Sequence, residues 1–140
     1  MAHWLFKSEP EKWSWDMQKA AGAKGQQWDG VRNYQARNNM RAMQIGDRGF
    51  FYHSNEGREV VGIVEVCALA HQDTTTDDPR WECVDLRAVK DMAKPVTLDE
   101  IKANVKLAKM VLVNNSRLSV QPVSDDEWAE VCRMGGMKGE

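Results

Sequence analysis

The first strand constrains this chain most. From His3 to Lys7 the order is His-Trp-Leu-Phe-Lys, which sets Trp4 and Phe6 on one side of an extended backbone and Leu5 on the other. A strand apolar on both sides is buried on both sides, and a strand of that kind at the start of a chain belongs inside a sheet rather than at its margin. Pro10 has no N–H to give to a ladder, so it disfavours continuation of the strand.

The remaining elements are read from periodicity and from start and stop signals. Ser14 is placed to cap a short helix over Trp15 to Ala21, with Gly22 and Gly25 ending it, and a second helix is expected from Tyr34 to Gln44, ended by Gly46. Arg48 to His53 and Glu59 to Ala70 read as two strands joined by the polar loop Ser54-Asn55-Glu56-Gly57-Arg58. Asp73 to Pro79 reads as a surface loop, and Trp81 to Lys90 as a strand with Val84, Leu86 and Ala88 on one face. Thr97 with Glu100 and Ser124 with Glu127 have the spacing of capping boxes, with Val96/Ile101 and Val123/Trp128 as their hydrophobic staples. The first of these opens a helix carrying Leu98, Ile101, Val105 and Ala108 on one face, and Arg117 to Gln121 forms a last short strand before the second. Strands clustered without regular βα alternation imply an α+β or barrel-like domain rather than a doubly wound parallel sheet.

Composition bounds the function. At 140 residues and 42% hydrophobic, the chain is expected to form one domain over 1–140. It has 19 Lys+Arg against 21 Asp+Glu, a net charge of -2, which argues against gripping nucleic acid by bulk phosphate neutralisation. A nucleic-acid role would have to rest on a local pocket. The charge is segregated: residues 1–58 hold nine basic and six acidic residues, and residues 59–104 hold five and ten. Cys67, Cys83 and Cys132 are widely spaced with no CxxC, so reduced, buried thiols are expected rather than a disulfide framework or a zinc knuckle. The N-terminus reaches Lys7 and Glu9 too early for a signal peptide, and the apolar stretch Val60 to Ala70 is broken by Glu65 and too short to cross a bilayer. A soluble, intracellular protein with no membrane partner is the expectation. No GxGxxG, GxxxxGK[ST] or GxSxG is present, and His3, His53 and His71 lack metal-box spacing, so no cofactor and no metal are expected.

Several segments could carry chemistry. Lys7-Ser8-Glu9-Pro10 puts a base, a hydroxyl and a carboxylate at a strand end, either a hydrogen-bonding edge for a flat heterocycle or a charged strand end in water. In Trp28-Asp-Gly-Val-Arg-Asn-Tyr-Gln-Ala-Arg-Asn38 an aromatic, a glycine and Asn33 stand at a helix start, where a ring can stack while backbone N–H groups meet a polar atom. The plainer readings are that Asn33 is an N-cap, Trp28 a core residue and the arginines a solvated face. Phe50 to Asn55 ends a strand with Tyr52, His53 and Ser54, but neighbouring strand residues point to opposite faces, so His53 is badly placed to activate Ser54 as a nucleophile. Arg117, Ser119 and Gln121 alternate with Leu118 and Val120, giving a polar face that is either solvated or lines a groove. Of the six tryptophans, Trp128 has the staple role, Trp4 and Trp81 fit strand packing, and Trp13 and Trp15 have no assignment. Only Trp28 sits where loop, glycine and helix start could make a stacking wall. The eight methionines read as core filler.

Taken together, Trp4-Leu-Phe-Lys-Ser-Glu-Pro10, Trp28 to Asn38, Phe51-Tyr-His-Ser54 and Arg117-Leu-Ser-Val-Gln-Pro-Val123 resemble the signature segments of the EVE domains, the family of the thymocyte nuclear protein, in the same order and over nearly the whole chain. The resemblance implies a PUA-like fold akin to YTH and ASCH domains, a curved β-barrel of about five to six strands flanked by helices. It implies a module that binds nucleic acid by reading a modified base, a modified cytosine in DNA or a modified RNA base, in an aromatic-lined pocket. Carried onto this chain, Trp28 is the stacking wall, and Ser8, Asn33 and the Tyr52, His53, Ser54 strand end supply hydrogen bonds. Lys7 and Ser119 belong to the same set, and Arg32, Arg37 and Arg117 are candidates for flanking phosphates. No catalytic residue is expected in this reading. The alternative is a small ASCH-like amidohydrolase acting on modified nucleosides, with Lys7 and Glu9 as a base pair or Ser8 as nucleophile. A protein-interaction scaffold using the basic helix is a third reading. Eukaryotic members carry a basic N-terminal extension that this sequence lacks, so a free-standing, cytoplasmic protein is expected; a monomer is expected as well.

Overall fold

The computed structural model describes residues 2–138. In chain order the elements are β1 (His3–Ser8), α1 (Trp15–Ala20), β2 (Gln26–Gln27), α2 (Tyr34–Ala42), β3 (Arg48–His53), β4 (Glu59–Gln72), β5 (Glu82–Thr97), α3 (Leu98–Ala103), α4 (Val111–Asn114), β6 (Val120–Val123) and α5 (Asp125–Met134). Short 3₁₀ turns lie at Gly22–Lys24 and Val105–Leu107. The strands form one sheet in the order β2-β5-β4-β3-β1-β6. As expected, β1 lies inside it, parallel to β3 on one side and antiparallel to β6 on the other. Each face of β1 feeds a separate core. Trp4 and Phe6 pack with Trp15, Trp28, Met40 and Phe51, whereas Leu5 packs with Phe50, Tyr52, Trp128 and Val131. On the second face, Trp128 is stacked between His3 and Phe50, with ring centroids 4.3 and 4.0 Å away.

The domain is α+β, but among the described residues the sheet does not close into a barrel. β2 has two residues and β6 four, and each is bonded on one side only, to β5 and β1 respectively. α2 stands in the gap instead, touching both β5 and β6. Asn39 Nδ2 donates to Val120 O at 2.8 Å, and Arg41 pairs with Glu82. Ala36 and Met40 from the same helix are fully buried. An amphipathic helix thus covers the apolar interior that two short edge strands cannot seal.

Local signals place most elements. Ser14 accepts from Met17 N, Asn33 from Ala36 N, and both capping boxes are formed. Four expectations are corrected. β5 runs on to Thr97 rather than stopping at Lys90. The helix after Thr97 ends at Ala103, because the Asn104 side chain accepts from Lys106 N and starts a 3₁₀ turn, leaving Val105 86% exposed instead of on a buried face. The last short strand begins at Val120, and Gln121 is buried rather than part of a polar face. All three cysteines are free, but Cys67 is only half-buried. Among the described residues no helix is long and apolar enough to cross a membrane.

Candidate functional site

At the end of β1 the chain turns back on itself, Lys12 N and Trp13 N both donating to Glu9 O at 2.9 and 3.0 Å. That turn, β2, the segment Trp28 to Arg32 and Ser119 enclose an open cavity of about 440 Å³, within the ordinary range for ligand pockets. The structure brings Lys7, Ser8, Trp28, Arg32 and Ser119 of the expected set to its lining. Trp28 is held there by its backbone N–H, which donates to Val84 O at 2.8 Å, and by edge-on packing against Phe6 and Phe51. It is only 7% exposed, so it is a core residue that presents its remaining surface to the cavity.

The more open aromatic wall is Trp13, which sequence reasoning left without a role. Its Nε1 donates to Gln18 Oε1 at 2.9 Å, and Gln18, fully buried, donates in turn to Leu86 O. The Ser8 hydroxyl donates to Trp13 O, so Ser8 fixes the wall more directly than it faces a ligand. The signal available in sequence was the short spacing between Pro10 and the Ser14 cap, which leaves Trp13 in a tight turn beside the strand end. Gln26, Gln27, Asp29, Gly30 and Val31 complete the lining.

The charged groups around the cavity differ sharply in what they already bind. By strand alternation the Lys7 side chain leaves on the Leu5 face. Its ammonium donates to Ser116 O at 2.6 Å and lies 5.9 Å from the Tyr52 ring centre, and burial lowers its pKa. Glu9 pairs with Lys12 at 3.2 Å. Lys7 and Glu9 are therefore engaged apart, and the base pair that the amidohydrolase alternative requires is not formed. Arg32 binds Asp73 at 3.0 Å. Asp73, in the segment read as a surface loop, is 1% exposed and receives Thr75 N, Thr75 Oγ1, Gly30 N and Arg32. Burial alone would raise this carboxyl, but those donors outweigh burial and hold it at about 2. Asp29 differs. Burial and the nearby charge of Asp73 raise its pKa, against a smaller lowering by Arg32.

The other expected residues lie outside the lining. Asn33 caps α2. Tyr52 is buried in the second core, where burial raises its pKa. His53 accepts from Trp15 N at 3.1 Å, and burial lowers its pKa, keeping the acceptor form. Ser54 N donates to Ser8 O, steadying the strand end from behind. Arg117 is exposed on the loop before β6. Arg37 lies over the Tyr34 ring at 4.9 Å, Tyr34 stacks on Trp81 at 5.1 Å, and Arg32 lies 5.6 Å from the Trp81 ring centre. Trp81 thus belongs to a surface ladder at the cavity rim rather than to strand packing.

This architecture has close counterparts. A crystal structure of a protein from Agrobacterium tumefaciens is 66% identical, with a TM-score of 0.98, covering 100% of this chain and 97% of that one. Human thymocyte nuclear protein 1 is 36% identical over 159 residues, 91% of this chain and 71% of that protein. Its crystal structure in complex with 5-methylcytosine-containing DNA has a TM-score of 0.92 at 34% identity, covering 99% of each chain. A YTH domain from Zygosaccharomyces rouxii, at 15% identity and a TM-score of 0.56, shares the fold. The EVE domain family matches residues 2–134, from the strand that opens the sheet to the end of the last helix, and the chain belongs to that family.

Proposed function

We propose that this domain binds nucleic acid and takes a modified base, a substituted cytosine in DNA foremost, into the cavity between Trp13 and Trp28. The observation that carries the reading is the cavity itself: an opening of about 440 Å³ with two indoles on its lining and polar groups from Ser119, Gln26 and Gln27 around them. A flat ring stacks on an indole face whatever its sequence context, and the polar rim reads its edge. The human relative in complex with 5-methylcytosine-containing DNA supports the same ligand class. Lys12 and Arg32 on the lining are paired with Glu9 and Asp73, whereas the Arg37 guanidinium bonds to Asn38 Oδ1 and Arg80 O rather than to a carboxylate, and it supplies the positive charge for a flanking phosphate despite a net charge of -2.

The test is titration, followed by fluorescence anisotropy, with DNA and RNA oligonucleotides that differ only in one cytosine or 5-methylcytosine. Tighter binding of the modified strand is expected, and Trp13→Ala should weaken it about tenfold or more, since base stacking is worth about 1–3 kcal/mol. Trp13 is half-buried at the cavity mouth, so this variant is expected to remain folded. Equal binding of modified and unmodified strands, unchanged in Trp13→Ala, would refute the reading.

A further inference from the structure

We propose that Asp29 is the residue that selects the base, favouring bases that offer an amino group to the cavity, 4-amino pyrimidines of the cytosine type, over 4-oxo pyrimidines of the thymine and uracil type. The inference rests on base binding in the cavity as set out above. It follows from an account of the charged groups on the lining. Glu9 is neutralised by Lys12 at 3.2 Å, Arg32 by Asp73 at 3.0 Å, and the Lys7 ammonium is directed to Ser116 O at 2.6 Å on the other side of the strand. Asp29 alone among them has no hydrogen bond or ion pair from the described residues. What acts on it is burial, repulsion from Asp73 and a smaller attraction from Arg32.

Its position is fixed from both sides. Trp28 N is bonded to Val84 O at 2.8 Å, and Gly30 N to Asp73 Oδ2 at 2.9 Å. Gly30 has φ +79, a left-handed conformation that glycine adopts freely and that turns the chain directly after Asp29. Asp29 is exposed on the cavity lining, one residue along the chain from Trp28, and its carboxylate accepts no hydrogen bond from the described residues. An ionised carboxylate accepts hydrogen bonds and donates none. An exocyclic amine satisfies it, as carboxylates do when they read the cytosine amine in nucleic-acid grooves. A 4-oxo group in the same place sets lone pairs against a negative charge that already lacks compensation. 5-Methylcytosine and thymine share ring and methyl group, so stacking cannot separate them, and the 4-position can.

The experiment compares oligonucleotides carrying 5-methylcytosine or thymine at one position, bound to the wild-type protein, Asp29→Asn, Asp29→Ala and Trp13→Ala. The wild type should prefer 5-methylcytosine by about tenfold or more, within the span expected of one well-made base contact. Asp29→Asn presents a donor as well as an acceptor and should bring the two oligonucleotides to within about threefold, as should Asp29→Ala. Trp13→Ala should weaken both alike and keep the preference. Both Asp29 variants should melt no lower than the wild type, because the carboxylate bonds to no part of the fold. An undiminished preference in both Asp29 variants, with binding still sensitive to Trp13→Ala, would overturn the role of Asp29 and leave base binding standing. No response to the modification or to Trp13→Ala would overturn both.

Discussion

Asp73 offers the sharpest quantitative test of how the cavity is held together. Its carboxylate is the point at which the 73–75 segment grips the cavity wall, receiving Gly30 N at 2.9 Å, Thr75 N at 2.8 Å and Arg32 Nη1 at 3.0 Å. The folded-state pKa is about 2 against an ordinary 3.8. A depressed carboxyl stabilises the fold fully above its unfolded pKa and loses that contribution as pH falls through the folded value. The difference corresponds to about 2 kcal/mol at neutral pH, of which about half is gone by pH 3. Asp73→Asn keeps the shape and one acceptor but removes the charge, so it should lower the stability at pH 7 by about 2 kcal/mol, or about 6–8 °C in Tm for a chain of this size. Urea or thermal melts of both proteins between pH 7 and pH 3 provide the assay. The gap should hold down to about pH 5 and narrow below about pH 4 as the wild-type carboxylate takes up its proton. A gap of undiminished size at pH 3 would show that the ionised carboxylate is not what holds the loop.

Other perturbations probe separate parts of the same account. Gly62→Ala sets a Cβ 2.1 Å from the Trp15 ring, so the indole that covers β4 must shift; a loss of about 1–3 kcal/mol in chemical denaturation is expected. Ser124→Ala removes the acceptor for Glu127 N and dissolves the α5 capping box, which should cost about 1 kcal/mol with the binding affinity unchanged. Asp29→Asn should raise Tm slightly at neutral pH. Burial and Asp73 disfavour the ionised form of Asp29, so its raised pKa makes the wild type gain stability as pH falls through the titration, and the difference between the two proteins should close there.

What the sequence shows, and what it hides, divides along the distance over which each interaction acts. The buried β1, the Ser14 and Asn33 caps and both capping boxes depend on residues within a few positions of one another, and their side chains alone declare them. The helix expected to run past Ala103 fails for an equally local reason, the Asn104 side chain competing for the backbone, which the apolar spacing of Val105 and Ala108 masks. Trp28 is legible as a special aromatic but not as one mostly surrounded by Phe6 and Phe51, because both partners come from other strands. Barrel closure, implied by resemblance, depends on whether β2 and β6 can meet, and α2, packed on both β5 and β6, stands in the gap instead.

The cavity is set at the longest range of all. The polar run Asp73 to Pro79 has the composition of a solvated loop, yet Asp73 binds Gly30 and Arg32 from 43 and 41 positions away, and Thr74 binds Gln27 from 47. Those bonds decide where Gly30 turns, and therefore where Asp29 and Trp28 stand relative to a ring placed between them. The 73–75 segment is not itself part of the lining, but its bonds to Gln27, Gly30 and Arg32 fix the geometry of residues that are. Substitutions at Thr74 or Thr75 should therefore alter the ratio of affinities for different bases more than the overall grip on the strand, because phosphate contacts depend on charge at the rim and base discrimination depends on placement within the cavity.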